Sequence, residues 1–244
     1  MTAIRLRGAA AGALYEAKTI VARYPALAIP LERARKRGQV IGRHTDIVIE
    51  GFPRCASSFV VAAFRSAQEP RLMTIAHHTH MPAQVIAGVR RGIPTLVLIR
   101  RPEDAIVSQL IRSPDLSVGS LLRGFVRFYS PLAAYRSGFV VGAFDEAIND
   151  LGGVIRRLNE RFGTGFAEFI HSPENLARID REIELDFRSR SSSEEQLERI
   201  IPRPSSWRAS LSEQARRRVR NEPSAALRLR AKRVYDELAG PSDG

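Results

Sequence analysis

In the stretch V-I-E-G-F-P-R-C-A-S-S-F, residues 48–59, a Gly- and Pro-bearing turn holds one arginine, Arg54, and ends in two serines, Ser57 and Ser58. Backbone N–H groups at a helix start, two hydroxyls and one guanidinium suit a terminal phosphate or sulfate group. A nucleotide-hydrolysing loop reads G-x-x-x-x-G-K-[ST]. Here Ala56 and Ser57 stand where its second glycine and its lysine belong, which disfavours ATP hydrolysis. Taken alone, the same residues also describe an ordinary strand-to-helix turn capped by Ser57.

A second candidate anion position lies in R-R-P-E-D-A-I-V-S, where Arg100 and Arg101 end an apolar run and Ser108 follows two turns into the next helix. An arginine and a hydroxyl so placed suit one phosphate, and Asp104 near the helix start favours the helix dipole. An ordinary Pro-initiated helix with solvated arginines has the same pattern. Two anion positions on neighbouring strand ends point to a ligand phosphorylated at both ends. Between them in sequence, A-H-H-T-H-M-P gathers His77, His78 and His80, three of the five histidines. Imidazole changes charge near neutral pH and serves as a general base. The spacing matches no zinc helix and brings no cysteine or carboxylate pair, so no metal is expected. Consecutive strand residues face opposite sides, so at least one of the three is structural.

The elements that must position these groups alternate. D-I-V-I-E-G is a β-rich run closed by Gly51, and S-F-V-V-A-A-F-R-S-A after it has a helical composition. R-L-M-T-I-A stops at the histidines, and I-P-T-L-V-L-I turns through Pro102 into a helix. Strands alternating with helices argue for a three-layer α/β/α domain with a central parallel sheet, whose ligands gather at the carboxyl ends of its strands. G-F-V-V-G-A-F is a further strand, and D-L-G-G-V-I-R-R-L-N-E-R-F is a helix stopped by Gly163. The charged, Ser-rich stretch 180–198 is expected to be mobile, and 211–238 a basic helical tail interrupted at Pro223. Residues 1–43 read as a basic helical extension and 44–240 as the α/β domain.

The chain has 244 residues, 44% of them hydrophobic, enough for one sizeable core. Its formal charge of +12 attracts phosphates, sulfated sugars, nucleic acid or anionic membrane without choosing among them. Only three of the 38 basic residues are lysines. An arginine excess of that kind follows from base composition, so charge is no evidence for a specific nucleic-acid partner. The lone cysteine, Cys55, excludes an internal disulfide, and no apolar run reaches the roughly 20 residues of a membrane span. The N-terminus fits a signal peptide poorly. The expectation is a soluble, cytoplasmic protein, with peripheral membrane contact of the basic amphipathic N-terminus as the lesser alternative.

These motifs together resemble the sulfotransferases that use 3′-phosphoadenosine 5′-phosphosulfate (PAPS). G-F-P-R-C-A-S-S-F is similar to the family's 5′-phosphosulfate loop, G-Y-P-K-S-G-T-T-W. H-T-H-M-P is similar to K-T-H-L-P, and R-R-P-E-D-A-I-V-S fits R-x-P-x-D-x-x-x-S, the 3′-phosphate motif. The A-F-D-E-A-I-N-D-L segment resembles Y-E-D-L more weakly. The resemblance covers about half the chain, from Asp46 to Gly163. It implies the P-loop sulfotransferase fold, PAPS as co-substrate with adenosine 3′,5′-bisphosphate (PAP) as product, and no metal.

The resemblance puts Arg54 at the lysine that steadies the departing phosphate oxygen, with Cys55, Ala56, Ser57 and Ser58 in the 5′-phosphate loop. Phe59 takes the place of the tryptophan on adenine, and Arg100 and Ser108 hold the 3′-phosphate. It makes His80 the general base, and His78 stands at a second family lysine. Arg203 is a candidate for the phosphate contact of a C-terminal loop that the chain matches only at Trp207 and Arg208. Arginine at position 54 presents a planar fork instead of a point charge, and Cys55 and Ala56 replace serine and glycine. At helix N-termini a thiol's pKa falls, although Cys55 also reads as a small filler. The implied reaction is in-line sulfuryl transfer to a hydroxyl of a small-molecule, carbohydrate or lipid acceptor, a glycolipid among them. That acceptor is held by loops near 80–90, 112–130 and 180–200. Two other readings stand beside it: a P-loop phosphotransferase such as a small-molecule kinase, and a non-catalytic module that binds a nucleotide or anionic polymer. Oligomeric state is left open.

Overall fold

A computed structural model describes residues 2–201 and 206–240. Helices α1 (Thr2–Val21) and α2 (Pro25–Arg35) lead into strand β1 (Ile47–Gly51). There follow α3 (Ser57–Ala67), β2 (Ile75–His77), α4 (Pro82–Arg90), β3 (Thr95–Ile99), α5 (Pro102–Arg112), α6 (Val118–Tyr129) and β4 (Val140–Ala143). The chain continues through α7 (Phe144–Asn149), α8 (Leu151–Phe162), α9 (Pro173–Ser189), α10 (Glu194–Ile200), α11 (Ser206–Asn221) and α12 (Ala225–Ala239). Among the described residues no helix is long and apolar enough to cross a membrane.

All four strands are parallel, in the order β2-β1-β3-β4. The expected α/β class with a central parallel sheet flanked by helices is therefore what the chain adopts. Strands β1 and β3 are fully buried along their length, as continuous apolar strands of parallel sheets are. Gly88 of α4 lies against Val48 and Thr95 on one face, and Gly142 lies against Leu96, Leu98 and Val154 of α8 on the other. Helices thus cover both faces. The chain goes from β1 outward to β2, then crosses back to β3 on the other side of β1. That reversal opens a crevice at the carboxyl ends of β1 and β3, where doubly wound sheets take their ligands.

Gly51 closes β1 for a steric reason. A Cβ there would stand 2.5 Å from the carbonyl oxygen of Leu98 on β3, so only glycine lets the two strands approach. Gly163 ends α8 in the left-handed region at φ 63°, the usual stop for a helix.

The stretch 180–198 is not the mobile segment its composition suggests. It lies mostly in α9 and α10, because Ile179, Ile183 and Phe187 recur every fourth residue and are buried against the core. Ser193 caps α10 through the amide of Gln196. The C-terminal helical stretch divides at Pro223 into α11, packed on α5, and α12, packed on α6.

Candidate functional site

The loop after β1 turns on two non-glycine residues in the left-handed region, Arg54 at φ 73° and Ala56 at φ 68°. Alternating backbone of this kind aims successive N–H groups into one concavity, an anion nest at the start of α3. Ser57 opens α3 and is buried, and among the described residues its Oγ has no hydrogen-bond partner. An orphaned buried hydroxyl at a helix N-terminus, lining a cavity, is a group made to meet a ligand. Cys55 points the other way: its thiol is fully buried, 3.5 Å from the Tyr129 hydroxyl, and burial pushes its pKa up to about 11. The side chain assigned to the nucleotide loop is therefore an inert filler beneath it, and only its backbone faces the loop. Tyr129 holds the floor in place, donating to Leu98 O at 2.6 Å and accepting from Phe52 N at 3.1 Å.

Arg54 leaves the loop towards α5. Its Nε donates to Ser108 Oγ at 2.9 Å and one terminal nitrogen donates to Ile200 O at 2.9 Å, at the end of α10. The planar fork satisfies the two acceptors through separate nitrogens held in one fixed geometry, where a lysine would offer a single ammonium. The guanidinium thus reaches the Ser108 side of the cavity. Burial, then the nearby Arg208, Arg112 and Arg100, depress its pKa. The half-buried cation has hydrogen bonds only to a hydroxyl and a carbonyl, so an anionic ligand in the cavity gains from its charge. Arg100 stacks on the ring of Phe144 at 3.8 Å and donates to Arg54 O at 3.3 Å, so the ends of β1 and β3 are tied together. Asp104 in the first turn of α5 pairs with Arg216 of α11.

The histidines leave β2 through a second pair of left-handed residues, His78 at φ 54° and His80 at φ 52°. What holds this turn is Glu50, a residue of β1 that is 0% exposed. Its Oε1 accepts from Thr79 N (2.8 Å), Thr79 Oγ1 (2.7 Å) and Gln84 Nε2 (2.9 Å), and its Oε2 from His80 N (3.1 Å). Thr79 is buried against Glu50, while His78 and His80 on either side of it are partly exposed and line the cavity. Lys36, just beyond α2, donates to His78 O at 2.8 Å. Burial raises the Glu50 carboxyl to about 7 against the pull of those donors.

His80 Nδ1 lies 2.8 Å from Gly51 O. A carbonyl only accepts, so Nδ1 carries the proton and Nε2 keeps its lone pair. Burial holds the imidazole at about 3, and it is a free base at neutral pH. His78 contacts Ser58 Oγ through Nε2 at 3.3 Å and His77 through Nδ1, and burial lowers these two to about 4 and about 3. Phe59 lines the cavity with its ring edge-on to Phe169 at 6.1 Å.

These residues surround one open cavity of about 1320 Å³, larger than the roughly 300–1,000 Å³ of a pocket for one small molecule. Arg54, Ala56, Ser57, Ser58, Phe59, His78, His80, Arg100 and Ser108 all line it. Arg203 lies outside the described residues. The nearby Arg208 donates to Glu198 O and Arg199 O, joining α11 to α10. Among the described residues no group of three or more His, Cys, Asp or Glu side chains is arranged to hold a metal.

Three cavity-side features escape the sequence motifs. Glu50 leaves one signal, a charged residue inside an otherwise apolar strand. Lys36 and the α1 residues Tyr15, Lys18 and Thr19 leave none, because only tertiary packing brings residues 1–43 to the cavity wall. Arg112 and Arg190 approach from α5 and the end of α9.

A scan against protein-family models finds no match. A search of curated proteins finds none either. Among solved structures the chain is similar to that of the mouse sulfotransferase SULT7A1 complexed with PAP, at 11% identity over 85% of this chain and 95% of that one, with a TM-score of 0.42.

Proposed function

We propose that the chain is a PAPS-dependent sulfotransferase acting on a hydroxyl acceptor. The observation that carries the reading is Arg54, a half-buried guanidinium whose hydrogen bonds run to neutral partners, set between two hydroxyl-bearing anion positions on adjacent strand ends. A ligand with an anionic group at each end compensates that charge. The orphaned Ser57 Oγ fits a phosphate oxygen of the same ligand.

In this reading the loop N–H groups, Ser57 and Ser58 hold the 5′ end of the nucleotide. Arg100 and Ser108 hold its 3′-phosphate, with Arg54 bracing Ser108, and Phe59 flanks the base. When bound, PAPS supplies the sulfuryl group that passes to the acceptor, leaving PAP. His80 takes the acceptor's proton at Nε2, while its Nδ1–H on Gly51 O fixes ring and tautomer. The imidazolium so formed is favoured by the nearby anionic ligand, which raises a pKa that is low in the empty site. His78, through Ser58, orients the loop hydroxyl. Beyond that proton transfer, positioning and electrostatics are what the reading asks of the protein.

Calorimetric titration separates this reading from its rivals. The expected result is tight binding of PAP without magnesium and weak binding of ATP. His80→Ala is expected to abolish turnover and leave PAP affinity within about twofold, since His80 touches the acceptor proton rather than the nucleotide. Magnesium-dependent ATP binding in preference to PAP would move the chain to the phosphotransferases. Binding that follows total charge, with histidine variants inert, would make it a scaffold.

A further inference from the structure

Helix α1 packs on the domain by its polar side. Glu16 forms ion pairs with Arg123 and Arg127 of α6, Thr19 accepts from Arg127 at 3.1 Å, and Tyr15 lies over Gly124. Its outward side carries Ala10, Ala13, Leu14, Ala17 and Ile20, with Lys18 among them. A helix that hides its carboxylate and shows leucine and isoleucine to solvent reverses the ordinary pattern of a surface helix. The same holds next door, where Glu32 of α2 is buried and Leu27 and Leu31, one turn apart, are exposed.

Nine large apolar side chains are exposed among the described residues, and five of them, Leu14, Ile20, Tyr24, Leu27 and Leu31, fall in this one stretch. The basic side chains exposed among them are Lys18, Arg23, Arg33 and Arg35. Residues 10–36 contain two acids, Glu16 and Glu32, and both turn inward, Glu32 within 4.0 Å of Arg35, so the outward face exposes more positive than negative charge.

We infer that the outward face of α1 and α2 docks on an anionic lipid bilayer. The apolar side chains enter the interface while the lysine and arginines reach phosphate headgroups, the usual division of work in an interfacial helix. Charge decides against a second copy of the chain as the occupant. A two-fold contact sets a face against itself and here meets positive charge with positive charge. Tyr15, Thr19 and Lys36 of the same segment line the cavity, so docking brings the cavity wall to the membrane. The inference does not depend on the reaction proposed above.

Co-sedimentation of the full chain with vesicles tests it. The chain is expected to partition onto phosphatidylcholine vesicles containing about 30 mol% phosphatidylserine, and at least about tenfold more weakly onto pure phosphatidylcholine. Leu27→Glu with Leu31→Glu, both exposed positions, is expected to cut binding at least about tenfold at an unchanged circular-dichroism spectrum. Arg23→Glu with Arg35→Glu, which keeps every apolar side chain, is expected to cut it comparably. No partition onto the anionic vesicles overturns the proposal, and so does equal binding by the leucine variant, which would leave bulk charge alone. A dimer in light scattering that the leucine variant dissociates would assign the face to a second copy and also overturn it.

Discussion

Arg54 Nε donates to Ser108 Oγ across 2.9 Å, joining the loop after β1 to helix α5, 54 residues on in the chain. Each belongs to a different strand end, and each reads in the sequence as an anion position of its own. Their bond makes one site of the two: the hydroxyl that awaits a phosphate is aimed by the guanidinium that awaits the same ligand. Arg100, donating to Arg54 O, closes the link from the other side.

Binding energies should register that coupling. A charge-assisted hydrogen bond contributes about 1.5–3 kcal/mol, so Arg54→Ala is expected to weaken PAP about tenfold to a hundredfold. Arg54→Lys keeps the charge but offers Ser108 and Ile200 a single ammonium, and is expected to lose about tenfold. Ser108→Ala should cost about tenfold alone and much less in the Arg54→Ala background. Additive losses in calorimetry would mean that the two residues hold the ligand independently.

Gly51 joins fold and site more directly. Alanine there puts a Cβ against Leu98 O and pushes β1 from β3, at a cost of about 3 kcal/mol for overpacking against backbone. It also shifts the carbonyl that fixes His80. Urea denaturation of Gly51→Ala should show that loss; a change under about 1 kcal/mol would mean that the strands yield freely.

Much of this site is legible in the sequence because its parts end apolar runs. Gly51, His77 and Arg100 mark where strands leave the sheet, and a parallel sheet fixes which end faces a ligand. The role of Cys55 is less legible, since a residue inside a loop shows its direction only once Tyr129 is in place beneath it. Residues 180–198 mislead because a dense run of charges hides Ile183 and Phe187, which continue from Ile179 at helical spacing. The path of Arg54 to Ile200, 146 positions away, exists only in three dimensions.

Acid should destabilise the fold earlier than its carboxylates alone would suggest. His77, His78 and His80 have folded values of about 3, 4 and 3 against an ordinary 6.5, so the unfolded chain binds more protons than the folded one between those limits. The stability from holding them neutral is intact above 6.5 and is lost as pH falls towards 3. Glu50 runs the other way: its value of about 7 against 4.5 means that stability falls as pH rises through that window. Three groups outweigh one. Thermal unfolding is expected to show a lower Tm at pH 5 than at pH 7, and an unchanged Tm would place the histidines in water.

Ala56 occupies the left-handed region at φ 68°, where a Cβ costs about 1 kcal/mol and glycine nothing. Ala56→Gly is therefore expected to stabilise the protein by up to about 1 kcal/mol in denaturant titration. Loss of stability would mean that the methyl group packs well enough to repay its strain.

Glu50 offers the sharpest test of how the base is held. Every group that reaches its carboxylate is a donor, so Glu50→Gln keeps size and three bonds at one oxygen but turns an NH2 group towards His80 N. Two donors face each other, and the left-handed turn at His80 loses the bond that holds it. The Nε2 lone pair then samples other directions while the anion loop, anchored by Tyr129 and Ser108, stays in place. The expected result is a fall in kcat of about tenfold to a hundredfold with PAP affinity within about twofold. Glu50→Asp, which keeps the charge on a shorter arm, should recover part of kcat. Equal losses in kcat and PAP affinity would make Glu50 a support of the whole crevice rather than of the histidine.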